Sequence, residues 1–280
     1  MKRIVTIQDI SCVGKCSLTV AVPVISACGV EACVIPTAVL STHTAFNNFS
    51  FCDLTDEIPK IWDIWKKEGI TFDAVYTGYL GSIKQLEMME RFIEEFSTED
   101  TLIFIDPVMG DQGKLYSGFT GEFADRMAEF CSKADVIVPN LTEASFMLHE
   151  EYKENGYTEE YIKDILKRLS ETGCKNVVLT GVSFDSNQVG VMAYNREADT
   201  YSSYFTEKIG ASFHGTGDVF SSACVGALMR GLSLEKAVET AVNFTVDAIK
   251  ATMKDENHSW YSVNFEEALP FLINELNSDK

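Results

Sequence analysis

The segment His214-Gly215-Thr216-Gly217-Asp218 precedes an apolar run that includes Val219, Phe220, Ala223, Cys224, Ala227 and Leu228, so an acid and two glycines stand where a helix should begin. Glycine lets backbone N–H groups approach an anion closely, and a helix start presents the positive end of its dipole. Such a tip suits transfer of an anionic group. Its amides can hold the charge that develops, while Asp218, kept ionised by the same amides, accepts a proton from an alcohol. The same five residues would serve equally as a plain glycine turn with Asp218 capping the helix.

Four further constellations carry chemistry. Asp106-Pro107-Val108-Met109-Gly110-Asp111 and Pro139-Asn140-Leu141-Thr142-Glu143 each end an apolar strand. Their hard oxygens suit Mg²⁺, which would neutralise a bound nucleotide. Read alone, Asn140 and Glu143 are helix-capping residues, and Asp106 is a turn residue before Pro107. In Ser41-Thr42-His43-Thr44, a lone His among hydroxyls is by default a satisfied structural side chain. In Thr77-Gly78-Tyr79-Leu80-Gly81-Ser82, Tyr79 is either core or a ring face for a flat ligand. Gly14-Lys15 imitates the end of a phosphate-binding P-loop and fails the pattern. Asp9 stands where the first glycine belongs, and Cys16 where Ser or Thr belongs. The turn Ser11–Lys15 still follows the first strand, and in open α/β sheets the C-terminal strand ends line the ligand crevice.

These residues need a scaffold, and short apolar runs alternate with helical patterns along the chain. Ile4–Ile7, Cys33–Pro36, Ala74–Tyr76, Leu102–Ile105, Val136–Val138 and Val177–Leu179 are apolar throughout, as strands of a parallel sheet covered on both faces should be. Helical stripes recur at Ile58, Ile61, Trp62 and Trp65, at Leu86, Met89, Ile93 and Phe96, and at Ile162, Ile165, Leu166 and Leu169, the last closed by Gly173. Gln188–Phe205 is expected to form a β-hairpin. Helices are expected over 216–230, 234–251 and 265–276. The alternation predicts an α/β fold with helices on both faces of the sheet. No internal repeat or linker divides the 280 residues, which are expected to form a single domain. The charged stretch Glu150–Asp164 reads as a solvated loop and helix face.

Composition narrows the partners. Lys and Arg number 23 against 42 Asp and Glu, a formal charge of −19. That charge repels nucleic acid and anionic membranes, so any phosphate must be bound locally by amides or a metal. No apolar run is long enough to span a bilayer, and the opening apolar run Ile4–Ile7 meets Gln8 and Asp9 too soon to be expected to act as a secretory signal. Cys12, Cys16, Cys28, Cys33, Cys52, Cys131, Cys174 and Cys224 contain no C-x-x-C pair. They are expected to be reduced thiols in a cytoplasmic protein rather than a redox or zinc centre.

Taken in order, Thr6-Ile7-Gln8 with Ser11, Ser41-x-His43-Thr44, Thr77-Gly78-Tyr79, Asp106–Asp111, Pro139-Asn140-x-x-Glu143, Thr180 and Gly215-Thr216-Gly217-Asp218 resemble the ribokinase-like superfamily over nearly the whole chain, and within it the pyridoxal (vitamin B6) kinases. The resemblance implies a three-layer α-β-α sandwich with a central, mostly parallel sheet, filling residues 1–280. It implies ATP-dependent phosphorylation of the 5′-hydroxymethyl group of pyridoxal, pyridoxine or pyridoxamine. Asp218 would be the base, and Gly215, Thr216 and Gly217 the anion hole. Ser11, His43, Thr44 and Tyr79 would bind the vitamer. Asp106, Asn140, Glu143 and Thr180 would serve ATP, and Asp106, Tyr116 and Glu143 the metal ions, Mg²⁺ and a monovalent K⁺ or Na⁺. Residues 111–118 would form a lid, and the family is typically homodimeric. Two positions depart from its pattern: Val138 stands where many relatives carry Thr, and Leu40 near a position that is often aromatic. A hydroxymethylpyrimidine kinase of the same fold is the nearest alternative. A non-catalytic vitamer-binding protein is the alternative from another class, and Asp218 argues against it, since storage needs no base.

Overall fold

The runs at Ile4–Ile7, apolar but for Thr6, and at Ala74–Tyr76 lie side by side as parallel strands, buried on both faces. β1 (Arg3–Ser11) has β4 (Ala74–Thr77) on one side and β2 (Glu31–Leu40) on the other, both parallel to it. A short strand, β3 (Phe51–Asp53), runs antiparallel to β2. Between β1 and β2 the register slips: Gln8 faces Pro36, but Ile10 faces Val39. β2 therefore carries one extra residue opposite Asp9, a bulge that locally twists the pair near the C-terminal end of β1. With α1 (Leu18–Ala27), α2 (Ile58–Lys67), α7 (Thr216–Met229), α8 (Leu234–Lys254) and α9 (Phe265–Ser278), these strands make the first of two compact units, Met1–Gly81 with Phe96–Thr101 and Ile209–Lys280. The computed structural model describes residues 1–210 and 213–278.

Within this unit α7 is buried continuously from Val219 to Ala227 and packs on α1 and α8. Its apolar character on every face follows from that position, since a helix enclosed by neighbours needs no polar side. α8 starts at a Ser233 cap, whose hydroxyl accepts from the Lys236 N–H at 3.3 Å.

The second unit comprises Ser82–Glu95 and Leu102–Lys208. Its sheet places β5 (Leu102–Ile105), β8 (Val136–Ile137) and β9 (Asn176–Val182) in parallel, with Ile105 opposite Ile137 and Ile137 opposite Val177. The expected hairpin is present as β10 (Gln188–Asn195) and β11 (Thr200–Glu207), added antiparallel to β9. Four helices belong here: α3 (Ile83–Phe96, its last residue counted with the first unit), α4 (Gly121–Cys131), α5 (Leu141–Met147) and α6 (Glu159–Glu171). A two-stranded hairpin, β6 (Gly110–Asp111) and β7 (Lys114–Leu115), follows the Asp106 turn. The charged stretch after Glu150 is a loop as far as Thr158, which caps α6 by accepting from the Tyr161 N–H at 3.3 Å.

All eight cysteines carry free thiols, and Cys28, Cys131, Cys174 and Cys224 are buried. Among the described residues, no helix is long and apolar enough to cross a membrane.

Candidate active site

The start of α7 has the geometry that its glycines suggest. Gly215 is the N-cap residue, with φ of +83°, a left-handed conformation that favours glycine. It sits so close to the turn after β1 that a β-carbon would stand 2.1 Å from the Lys15 carbonyl oxygen. The Val219 N–H bonds back to the Gly215 carbonyl at 2.9 Å, so the N–H groups of Thr216 and Gly217 precede the helical ladder. The Thr216 hydroxyl donates to the Phe213 carbonyl at 3.1 Å. The cap position is held by a glycine, and Asp218 stands half-buried in the first turn. Its charge is felt by Cys16. That thiol is pushed up to about 12, first by burial and then by the negative charges of Asp218 and Asp9. Cys16 therefore stays protonated at neutral pH and is no nucleophile.

The turn from Ser11 to Ser17 runs beneath this tip and gathers the residues expected to hold an acceptor. Ser11 is buried, and its hydroxyl donates to Asp9 Oδ2 at 3.1 Å. Gly14, at φ +104°, lies against His43: a β-carbon there would stand 2.2 Å from the His43 Cδ2. His43 is buried and fixed at both nitrogens. Nδ1 accepts from the Ala45 N–H at 3.2 Å, so Nε2 carries the proton that it donates to the Tyr261 carbonyl at 2.9 Å. Its ring meets Phe46 at 4.9 Å and His214 at 4.8 Å. Burial, aided by His214 and opposed by the Tyr261 carbonyl, holds its pKa below the usual imidazole value. Lys15 ties the turn to the C-terminal helices, donating to Glu266 at 2.7 Å and to Asn264 at 3.1 Å. Tyr79 is half-buried; burial and then the charges of Asp9 and Asp53 push its hydroxyl pKa up. Thr44 is exposed on the loop after His43, and among the described residues no hydrogen bond of its side chain joins it to the others.

The second unit holds the other group of expected residues. Asp106 follows β5, Asn140 follows β8, and Asn140 bridges to Thr180 of β9, so three adjacent strands bring them together. The capping role legible in Asn140 and Glu143 is realised in full. Asn140 Oδ1 accepts from the Glu143 N–H at 2.9 Å, and Glu143 Oε2 accepts from the Asn140 N–H at 2.8 Å. Glu143 Oε1 also accepts from the Met109 N–H at 3.1 Å, and Asn140 Nδ2 donates to the Gly110 carbonyl at 2.8 Å. The Gly113 N–H donates to the Thr142 hydroxyl at 2.9 Å. The expected lid therefore begins as a hairpin fastened to α5. Tyr116, at its end, is partly exposed and donates its N–H to the Met109 carbonyl at 2.9 Å.

Electrostatics single out one pair. Burial above all, and then the neighbouring charge of Asp106, push the Glu143 carboxyl well above the usual carboxylate range, despite the N–H groups of Asn140, Met109 and Gly110. Two acids in one buried place repel, and a cation beside them would relieve that repulsion. Their hard oxygens fit Mg²⁺, which takes one or two carboxylates and fills its remaining positions with phosphate and water. No group of three or more His, Cys, Asp or Glu suited to a metal occurs among the described residues.

Asp9, Cys16 and Lys15 lie around this turn, and in the sequence they stood out only through the P-loop pattern that they fail. For Asp9 the signal existed: it stands near the end of an apolar strand, as Asp106 does. For Lys15 there was none, because its role depends on contacts 249 and 251 positions away.

Residues 22–262 match the family described as phosphomethylpyrimidine kinase. Among solved structures, the chain is similar to a putative phosphomethylpyrimidine kinase from Bacteroides thetaiotaomicron, with 43% identity, 97% of this chain and 93% of that one covered, and a TM-score of 0.93. An orthorhombic crystal form of a protein so described, with pyridoxal, gives 42% identity, 97% and 95% coverage, and a TM-score of 0.92. A pyridoxal kinase from Dictyostelium discoideum is 26% identical over 97% of this chain and 96% of its own length. A hydroxymethylpyrimidine/phosphomethylpyrimidine kinase from Aquifex aeolicus is 30% identical over 62% of this chain and 67% of its own length. The fold is accordingly the α/β ribokinase-like sandwich with a central, mostly parallel sheet.

Proposed function

The chain belongs to the phosphomethylpyrimidine/pyridoxal kinase family of ribokinase-like kinases, and from that premise we propose that it moves the γ-phosphoryl group of ATP onto the hydroxymethyl group of a nitrogen heteroaromatic, with Asp218 as the base. The observation that carries this reading is the left-handed Gly215 that opens α7, with the acid in the turn that follows. In the proposed step, the acceptor oxygen forms a bond to the γ-phosphorus as the bond to the bridging oxygen of ADP breaks. ADP leaves with that electron pair, and the acceptor proton passes to the Asp218 carboxylate. The N–H groups of Thr216 and Gly217 receive the charge spread over the equatorial oxygens. A carboxylate with an ordinary pKa of ~3.9 suffices, since in a loose transition state the proton leaves late.

Ser11, His43, Thr44 and Tyr79 form the acceptor side of the proposal. His43, neutral and fixed at both nitrogens, positions Gly14 and its turn rather than moving a proton. Asp106, Asn140, Glu143 and Thr180 form the nucleotide side. Asp106 and Glu143 would hold Mg²⁺, with Tyr116 assigned to the monovalent ion, K⁺ or Na⁺. When bound, the cations supply positive charge against the phosphates that this acidic protein otherwise repels. The kinase domain of the proposal is the whole chain, 1–280, acting as a cytoplasmic homodimer.

The comparisons reorder the acceptors. The family description and the names of the Bacteroides thetaiotaomicron structures support hydroxymethylpyrimidine better than a B6 vitamer. The vitamer is the second reading, favoured by pyridoxal in one of those crystals and by the full-length match to the Dictyostelium discoideum enzyme. ADP release measured with hydroxymethylpyrimidine, pyridoxal, pyridoxine and pyridoxamine, at one ATP and Mg²⁺ concentration, ranks the two. At least one acceptor should raise ADP release well above the acceptor-free rate. If none does, the kinase reading fails.

A further inference from the structure

The Gly14-Lys15 step that fails as a P-loop lies beneath the tip of α7, and no step above uses its lysine. The turn is closed at its base by a bridge between Ile10 and Ser17, and braced inside by the Thr19 hydroxyl, which donates to the Cys16 carbonyl at 2.7 Å. Ser17 is held at a φ of +50°, a strained backbone for a residue with a β-carbon, and such strain persists only where the surroundings fix the chain. Two grips hold the apex, and both lead to the chain after α8. His43, whose ring faces Gly14, donates to the Tyr261 carbonyl at 2.9 Å. Lys15 Nζ donates to Asn264 Oδ1 at 3.1 Å and to Glu266 Oε2 at 2.7 Å, and lies 5.9 Å from the centre of the Phe265 ring.

The Lys15 grip is unfavourable for α9 itself. That helix begins at Phe265, so the ammonium sits at the positive end of its dipole. Asn264 stands where an Asn ordinarily caps a helix, yet its side-chain oxygen accepts from Lys15, and its amide donates to Asp255 Oδ2 at 3.1 Å. Its own N–H donates to the Thr252 hydroxyl at 2.7 Å, which fixes it to the end of α8. The Lys15 and Glu266 side chains are 33% and 50% exposed, so their pairing adds little to overall stability. What the grip does fix is the other end of the same residue, the Lys15 carbonyl, against which Gly215 rests with no room for a β-carbon. We infer that Lys15 is a positioning residue for the transfer step: Asn264 and Glu266 hold its ammonium so that its carbonyl seats Gly215, and Gly215 sets the direction of the Thr216 and Gly217 N–H groups. The inference rests on the kinase reading above, in which those N–H groups receive the charge of the transferring phosphoryl group.

Steady-state ADP release by the whole chain, with exchange of the Val219 N–H followed by NMR, tests it. That N–H closes the first turn of α7 on the Gly215 carbonyl, so its exchange reports whether the tip is held. Lys15→Met keeps the stem and removes the charge. Its kcat should fall about tenfold with the KM for ATP within about twofold, and Val219 exchange should quicken by about threefold or more. Glu266→Gln should lower kcat about threefold. The double variant should be no slower than Lys15→Met alone, since the two residues act as one unit. Melting temperatures should move by less than about 4 °C, as expected of a surface pair. Should Lys15→Met not fold, Glu266→Gln, altered at the more exposed partner, decides by the same two readouts. Unchanged kcat or unchanged exchange in a folded variant overturns the inference, as does a double variant in which the two losses multiply. A rise in the KM for ATP with kcat kept also overturns it, by making Lys15 a direct phosphate ligand. An active protein whose turnover ignores Lys15 and Glu266 sinks the grip and spares the kinase reading. No ADP release from the unaltered protein with any acceptor sinks the kinase reading, and the exchange rates then decide alone whether Lys15 holds the tip.

Discussion

Gly215 is seated on the backbone of Lys15, with room for a hydrogen and none for a methyl group: a β-carbon would stand 2.1 Å from the Lys15 carbonyl oxygen. The helix that carries the proposed base is therefore positioned by the turn after β1, and Lys15 is fixed in its turn by Glu266 and Asn264.

Gly215→Ala puts a β-carbon both into that carbonyl and at a φ of +83°. The strain and the clash together should lower stability by more than about 1 kcal/mol. Displacement of the helix tip should lower kcat by a factor on the order of 10². Thermal unfolding and steady-state ADP release measure the two effects; normal turnover in the variant would show that the tip is not the anion site.

Asp218→Asn keeps shape and removes the base. Turnover should fall by a factor on the order of 10² or more, with ATP binding largely kept. Nucleotide affinity, titrated separately, distinguishes loss of the base from loss of the site. Near-normal kcat in this variant refutes the assignment.

His43 makes stability depend on pH. Its folded pKa lies below the ordinary imidazole value, chiefly through burial. As pH falls below ~6.5, the unfolded chain takes up a proton that the folded chain refuses. Stability contributed by the neutral ring is thus present above that pH and is lost as pH falls from there towards the folded pKa. His43→Gln should flatten this part of a denaturation series run between pH 8 and 5, within the ordinary range of imidazole titration. An unchanged slope would show that another group carries it.

Asn140→Ala removes the cap of α5 and its bond to the Gly110 carbonyl, and leaves the buried Glu143 with fewer partners. A stability loss of about 1–2 kcal/mol is expected from the cap. Because the same residue fastens the hairpin that begins at Gly110, the KM for ATP should rise more than that for the acceptor. Equal changes in both would assign Asn140 to folding alone.

Much of this was readable along the chain, and the reasons are local. Apolar runs such as Ile4–Ile7 and Leu102–Ile105 mark strands because a doubly covered sheet tolerates no polar face. The spacing of Ile162, Ile165, Leu166 and Leu169 marks α6 because it repeats with the helical turn. The glycines at 215 and 217 and the acid at 218 announce a helix tip because glycine conformation and the helix dipole act over a few residues. Elements without a local signature were not legible. α1 is apolar on nearly every side, rich in β-branched residues and carries Pro23 inside it, so no stripe appears. β3 is three exposed residues and exists only because β2 offers an edge.

Amino-acid order alone determined the alternation of strands and helices and the short motifs at their ends, since each depends on neighbours within a turn or a strand. Tertiary structure decided the rest. It buried Asp9 beside Ser11, set the Lys15 carbonyl under a glycine 200 positions later, and brought Glu143 within reach of the charge of Asp106. Desolvation and close approach are properties of what distant segments place around a side chain, and no window of sequence contains them.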